Sequence, residues 1–155
     1  MPKALKIHAL ELVRIILSCL ERRERYMEYP GLWKLRKMTA LTKGSFQVIS
    51  EDDLSSLEDN KYTKRVKMMF RSDFIISDSS LSIYYKPSDG EPILPEDEGK
   101  EMTERGILLD SFPLRIEGEA IMIDYGKRGD GFFPVFTDDD GYLSISGGIL
   151  KIQKV

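Results

Sequence analysis

Residues 32–42 read Leu-Trp-Lys-Leu-Arg-Lys-Met-Thr-Ala-Leu-Thr, and whether this stretch is helix or strand decides the class of the fold. Leu32, Leu35, Met38 and Leu41 recur at every third position, which lines one face of a helix. Gly44 stands where such a helix would stop. The spacing predicts a short second helix here, so that the whole N-terminal part of the chain is helical.

Upstream, a first helix is expected over residues 3–29. Between Ile7 and Leu20 the only polar side chains are His8, Glu11, Arg14 and Ser18. Their spacing gathers them on one narrow stripe, which Arg22 and Arg25 continue. The rest is apolar and falls on two lines, Leu5, Ala9, Leu12, Ile16 and Leu20 on one, Leu10, Val13 and Leu17 on the other. A surface helix ordinarily has one apolar face to bury. Either the helix sits deep in the domain, or one line packs on a sheet and Leu10, Val13 and Leu17 meet a second copy of the chain; self-association through that line is the expectation. Pro30 and Gly31 end the helix.

Downstream, residues 46–49 read as a short strand, and Ser50 with Asp53 as a capping pair for a short acidic helix over 51–59. From Lys61 the texture is that of strands, expected at 62–70, 74–77, 81–86, 107–112, 114–125, 132–137, 142–146 and 149–155. Asp139-Asp140-Gly141 and Gly147-Gly148 are hairpin signals, so the last three strands should form an antiparallel meander. Helices followed by strands give an α+β class, with N-terminal helices packed on a mainly antiparallel β-sheet in a single domain, 1–155.

The chain has 155 residues and a net charge of −3, unevenly distributed. Residues 1–44, the basic helical part, carry ten Lys and Arg against four Asp and Glu; the acidic, β-rich body, 45–155, carries thirteen against twenty-two. The molecule is electrically bipolar. Its one cysteine, Cys19, excludes an intramolecular disulfide. The apolar run at 7–20 is interrupted by Glu11 and Arg14, which fits neither a secretory leader nor a membrane span. A cytoplasmic location is expected.

Catalytic motifs are not evident. His8 and Cys19 are separated by about 16 Å along a helix axis, at ~1.5 Å per residue, which is too far for a nucleophile and its base. Four Cys/His ligands for structural zinc do not exist, and Asp138-Asp139-Asp140-Gly141 has turn chemistry without the carboxylates of a calcium loop. No cofactor or metal is expected. Gly126 to Gly131, with Lys127 and Arg128, is a flexible connection able to present amides and cations to an anion. Asp110 and Asp124 at strand ends, with Lys127 close by, form the sparsest version of a metal-dependent phosphoesterase site. The basic residues Arg22, Arg23, Arg25, Lys34, Arg36 and Lys37 bracket Trp33, an arrangement suited to an anionic membrane or nucleic acid if the Trp is exposed.

Gly129 to Phe136, followed by Asp139-Asp140-Gly141-Tyr142-Leu143, resembles the last hairpin of small uncharacterised bacterial β-rich proteins. The resemblance spans about residues 121–146 and implies a β ending, with no activity attached. The expectation drawn from the residues is a non-catalytic interaction protein that self-associates or meets an acidic protein. Two alternatives stand beside it: a peripheral anionic-surface binder using residues 22–43, and a metal-dependent phosphoesterase.

Overall fold

The computed structural model describes residues 9–18, 29–126 and 131–155. In it the deciding stretch is a strand: β1 runs Gly31–Thr42. Trp33 and Leu35 turn into the core, the register shifts between Leu35 and Lys37, and Met38 and Ala40 then face inward. One extra residue sets Leu35 and Met38 three apart on the same face, as in a helix, whereas Leu32 and Leu41 alternate out of that face. Gly44 is not a helix stop. It is the second residue of a Lys43-Gly44 turn, with φ of 49° and 79°, that folds β1 onto β2 (Ser45–Ser50). Two residues of positive φ match the twist of a hairpin, and glycine accepts that conformation without strain.

The opposite correction applies to 62–70, expected as a strand. It belongs to helix α2, Lys61–Arg71. Asn60 caps it, its Oδ1 accepting from the Thr63 amide at 2.9 Å while Thr63 Oγ1 accepts from the Asn60 amide at 3.0 Å. Thr63, Val66 and Phe70 are buried, at helical spacing. The expected acidic helix after Ser50 is a 3-10 turn, Glu51–Ser56, with the Ser50 amide donating to the Asp53 carboxylate at 2.9 Å.

Eight further strands follow: β3 (Asp73–Ile76), β4 (Ser80–Tyr85), β5 (Met102–Thr103), β6 (Gly106–Glu117), β7 (Ala120–Ile123), β8 (Phe133–Thr137), β9 (Leu143–Ile145) and β10 (Leu150–Lys154). β6 continues through Pro113, where two strands were expected to part, and turns into β7 at Gly118. The last three strands do form an antiparallel meander.

The α+β expectation is overturned by closure of the sheet. Neighbours run β10-β9-β8-β7-β6-β4-β3-β1, and β1 pairs back onto β10, giving a closed eight-stranded antiparallel barrel with β2 and β5 outside the ring. β1 makes the closure by using both of its edges: Gly31 to Lys34 pair with β3 along one, Trp33 to Met38 with β10 along the other. Phe74, Leu81, Ile123, Leu143 and Ile152 fill the interior, each no more than 1% exposed. At one end Val66 and Phe70 bring α2 against this core. Closure turns the apolar face of the sheet inward, where its own side chains fill it, so an N-terminal helix has no apolar sheet face of its own to cover. In the described part of that helix, residues 9–18 (α1), Leu12 and Ile16 of the line expected to pack on the sheet are accordingly 59% and 50% exposed, as open as Leu10, Val13 and Leu17 at 68%, 52% and 54%.

Two contacts tie the α2 end together. Gly106 (φ 111°) brings its backbone so near β4 that a Cβ would lie 2.4 Å from the Tyr85 carbonyl oxygen. The loop 87–101 is pinned by Asp97, whose buried carboxylate meets Arg65 of α2 at 2.7 Å and Lys100 at 2.9 Å.

Candidate functional site

The barrel wall has a gap. β7 pairs with β6 only from Leu114 to Glu117, and β5 pairs only with Gly106 and Ile107. Between them, among the described residues, no strand pairs with β6 on this side over Leu109 to Phe112. β8 leaves β7 at Val135 and joins β9 from Phe136. A slit of about 990 Å³ opens between β6 and the β8–β9 side. Asp110, Phe112, Tyr125 and Ser146 also bound a smaller void of about 220 Å³ farther in. Leu81 and Ile83 face that void from one wall, Ile145 and Leu150 from the other, and Met69 from α2. The slit therefore leads to the lumen, and the mouth of a small barrel is a common place for binding.

The walls of the slit are aromatic. Phe112 meets Tyr125 edge to face at 5.6 Å, and Tyr125 meets Phe133 at 6.4 Å. The Ser146 amide donates to Tyr125 Oη at 2.9 Å, which holds the ring. Phe136 and Ile149 complete an exposed apolar lip. Asp110 stands at this lip. It accepts from the Ser111 amide at 2.9 Å and, among the described residues, has no ion-pair partner.

The residues singled out from the sequence are mostly scattered. Trp33 is core, its Nε1 donating to the Tyr29 carbonyl at 2.8 Å. Lys34 is paired with Asp73 at 2.6 Å, Arg36 Nε donates to Gln153 at 3.1 Å, and the Lys37 ammonium lies 5.5 Å from the Tyr142 ring centre. These cations stand on a strand and have partners, instead of surrounding an exposed Trp. Arg22, Arg23, Arg25, Lys127 and Arg128 lie outside the described residues. Leu10, Val13 and Leu17 share α1 with Leu12, Ile15 and Ile16, all at least half exposed.

Asp110 borders the slit, whereas Asp124 accepts from the Gly126 amide at 2.8 Å and closes a turn. Among the described residues no three His, Cys, Asp or Glu gather as a metal site. The acidic run at 138–141 turns the chain: Asp138 Oδ1 accepts from the Asp140 and Tyr142 amides, both at 3.0 Å. Its other oxygen receives Lys151 at 2.6 Å, and that hydrogen bond holds the carboxyl below its ordinary range.

A second concavity, of about 280 Å³, lies on the outside between α2 and the loop 87–97. Tyr85, whose Oη donates to Glu91 at 2.6 Å, forms part of it. Burial, and then this bond, pushes the phenol up to about 12. Arg71 lies over the same ring at 5.3 Å and reaches Glu91 at 3.4 Å.

Sequence reasoning missed both concavities. Phe112, Tyr125, Phe133 and Phe136 read as ordinary strand residues, and only the pairing of β6, β7 and β8 reveals the gap between them. Compared with protein-family models, with curated proteins and with solved structures, the chain matches none. Among the described residues no helix is long and apolar enough to cross a membrane.

Proposed function

We propose that this is a non-catalytic assembly protein that joins copies head to tail, α1 of one copy lying in the wall slit of the next. The observation that carries the reading is α1 itself: Leu10, Leu12, Val13, Ile15, Ile16 and Leu17 are all at least half exposed. Each large aliphatic side chain taken out of water contributes roughly 1.5–3 kcal/mol. Six on one short helix are a strong drive toward a cover, and the inward, apolar face of the closed barrel is already filled by its own side chains.

The slit fits that occupant in shape and charge. It is an apolar groove with aromatic walls, which is how a groove receives one face of an amphipathic helix. Leu10, Val13 and Leu17 span about 10 Å of helix at ~1.5 Å per residue. Asp110 at the lip complements Arg14 on the helix stripe. The same sense of charge runs through the whole molecule, whose first 44 residues are net basic and whose remainder is net acidic. Because helix and slit are different surfaces, each contact is heterologous, and assembly closes as a reciprocal pair or a larger ring, or grows as an open array.

Light scattering on wild type and on the double variant Leu10→Lys, Leu17→Lys tests the reading. Wild type should be a dimer or larger, and the variant a monomer with unchanged thermal unfolding. A wild type that stays monomeric at high concentration ends the proposal. Salt-sensitive retention of that monomer on anionic liposomes would then favour a surface role for the basic segment.

A further inference from the structure

The outer concavity beside α2 has the chemistry of a binding site, and it is independent of the slit. We infer that it takes a small organic anion with a short apolar body, such as a medium-chain or aromatic monocarboxylate. The cleft is about 280 Å³, just below the usual size range of pockets for drug-sized ligands, which limits the occupant to a small molecule. Met68, Pro92, Ile93, Leu94 and Ile107 give it apolar walls. Ile93, although large and aliphatic, is left 44% exposed at its edge.

Charge decides the class of ligand. Lys64, Lys67 and Arg71 project from α2 at intervals of three and four residues and so stand on one face of the helix, along the cleft. Two carboxylates also border it, and both are committed. Glu91 accepts from Tyr85, from Arg71 and from the Ser88 amide at 2.8 Å. Asp97 is held between Arg65 and Lys100. Lys64 and Lys67 have no ion-pair partner among the described residues. The uncompensated charge at the cleft is therefore positive, beside a wall with nothing polar to offer. A carboxylate at the lysines with its hydrocarbon along Ile93 and Leu94 satisfies both halves. The Tyr85–Glu91–Arg71 bonds brace the loop that forms the far wall, so the cleft is present before a ligand arrives.

A ligand of about eight heavy atoms has a limited affinity, and a Kd of about 1 mM is the scale expected. The test is chemical-shift titration of the full-length protein with hexanoate, hexanol and acetate, repeated with the Lys64→Gln, Lys67→Gln variant. Hexanoate should shift the Ile93 and Leu94 amides saturably, and hexanol and acetate should bind about tenfold more weakly or worse. The double variant, altered only at the surface and melting as wild type, should lose about tenfold for hexanoate and nothing for hexanol. Equal binding of hexanoate and hexanol would overturn the inference. So would undiminished hexanoate binding by the double variant, shifts centred on Tyr125 and Ser146 instead, or no saturable response up to about 10 mM, tenfold above the expected Kd.

Discussion

The Asp97 carboxylate, fully enclosed, receives the Arg65 guanidinium at 2.7 Å, and this pair fastens the loop 87–101 to α2 at the end of the barrel. Lys100 takes the other oxygen at 2.9 Å and also donates to the Leu109 carbonyl at 3.2 Å, on the stretch of β6 that borders the slit. One buried acid thus links the helix, the loop and the open edge of the barrel.

Removing that acid should be costly. Asp97→Ala leaves Arg65 and Lys100 without their counter-charge, a class of change that costs about 3–5 kcal/mol. Both cations are 32% exposed, so water relieves part of the loss and a value near 3 kcal/mol is expected from urea unfolding at neutral pH. A loss under about 0.5 kcal/mol, the scale of an ordinary surface substitution, would show that the loop is held by other contacts.

The same site sets an acid limit. Burial works to raise the Asp97 pKa, but the hydrogen bonds from Lys100 and Arg65 outweigh it and the carboxyl is held low. A depressed carboxyl contributes its stability fully above the ordinary value near 4 and loses it as pH falls through the depressed value. The stability difference between wild type and Asp97→Asn should therefore be constant at neutral pH and shrink below about pH 4. A difference that persists unchanged into acid would assign the effect to packing.

Tyr85 gives the alkaline counterpart. Its pKa, raised to about 12 by burial and by the bond to Glu91, means that the neutral phenol stabilises the fold. That contribution is complete below the ordinary value near 10 and is lost as pH rises toward 12. Tyrosinate absorbance of wild type minus Tyr85→Phe should show one phenol ionising about two units late, with unfolding in the same window. A difference curve centred near 10 would place Tyr85 in contact with solvent.

Gly106 is expected to tolerate no side chain. A Cβ 2.4 Å from the Tyr85 carbonyl oxygen forces β4 and β6 apart, in a backbone conformation that side chains rarely adopt. Gly106→Ala should cost about 1–3 kcal/mol in denaturant melts. Gly131→Ala has a comparable φ of 106° with open space around it, and separates the conformational cost from the clash.

Much of the strand list was legible, because alternation and turn residues are local signals. The meander from Phe133 to Lys154 follows from Asp-Gly and Gly-Gly turns between alternating apolar residues. What misled was also local. The bulge after Leu35 gave β1 a helical spacing, and the aromatic and β-branched content of Tyr62 to Phe70 disguised α2. Closure was not legible at all, since the pairing of β1 with β10 joins residues more than a hundred positions apart and leaves no trace in either segment. The slit is a consequence of closure, made by strands that are each unremarkable in sequence. Lys64 and Lys67 gain meaning only once α2 is a helix facing a loop thirty residues downstream. The exposed line Leu10, Val13 and Leu17 was the part of the candidate interface readable in advance, because helical spacing alone defines it.

Complementation in a mixture tests head-to-tail assembly most directly. One variant, Leu10→Lys with Leu17→Lys, has a damaged helix and an intact slit. Another, Phe136→Asp, has an intact helix and a damaged slit. Sedimentation should show each alone as a monomer with wild-type melting, and the two mixed in equal amounts as a one-to-one heterodimer that grows no further. A mixture that stays monomeric, or a Phe136→Asp variant that still assembles by itself, would contradict docking of α1 in the slit.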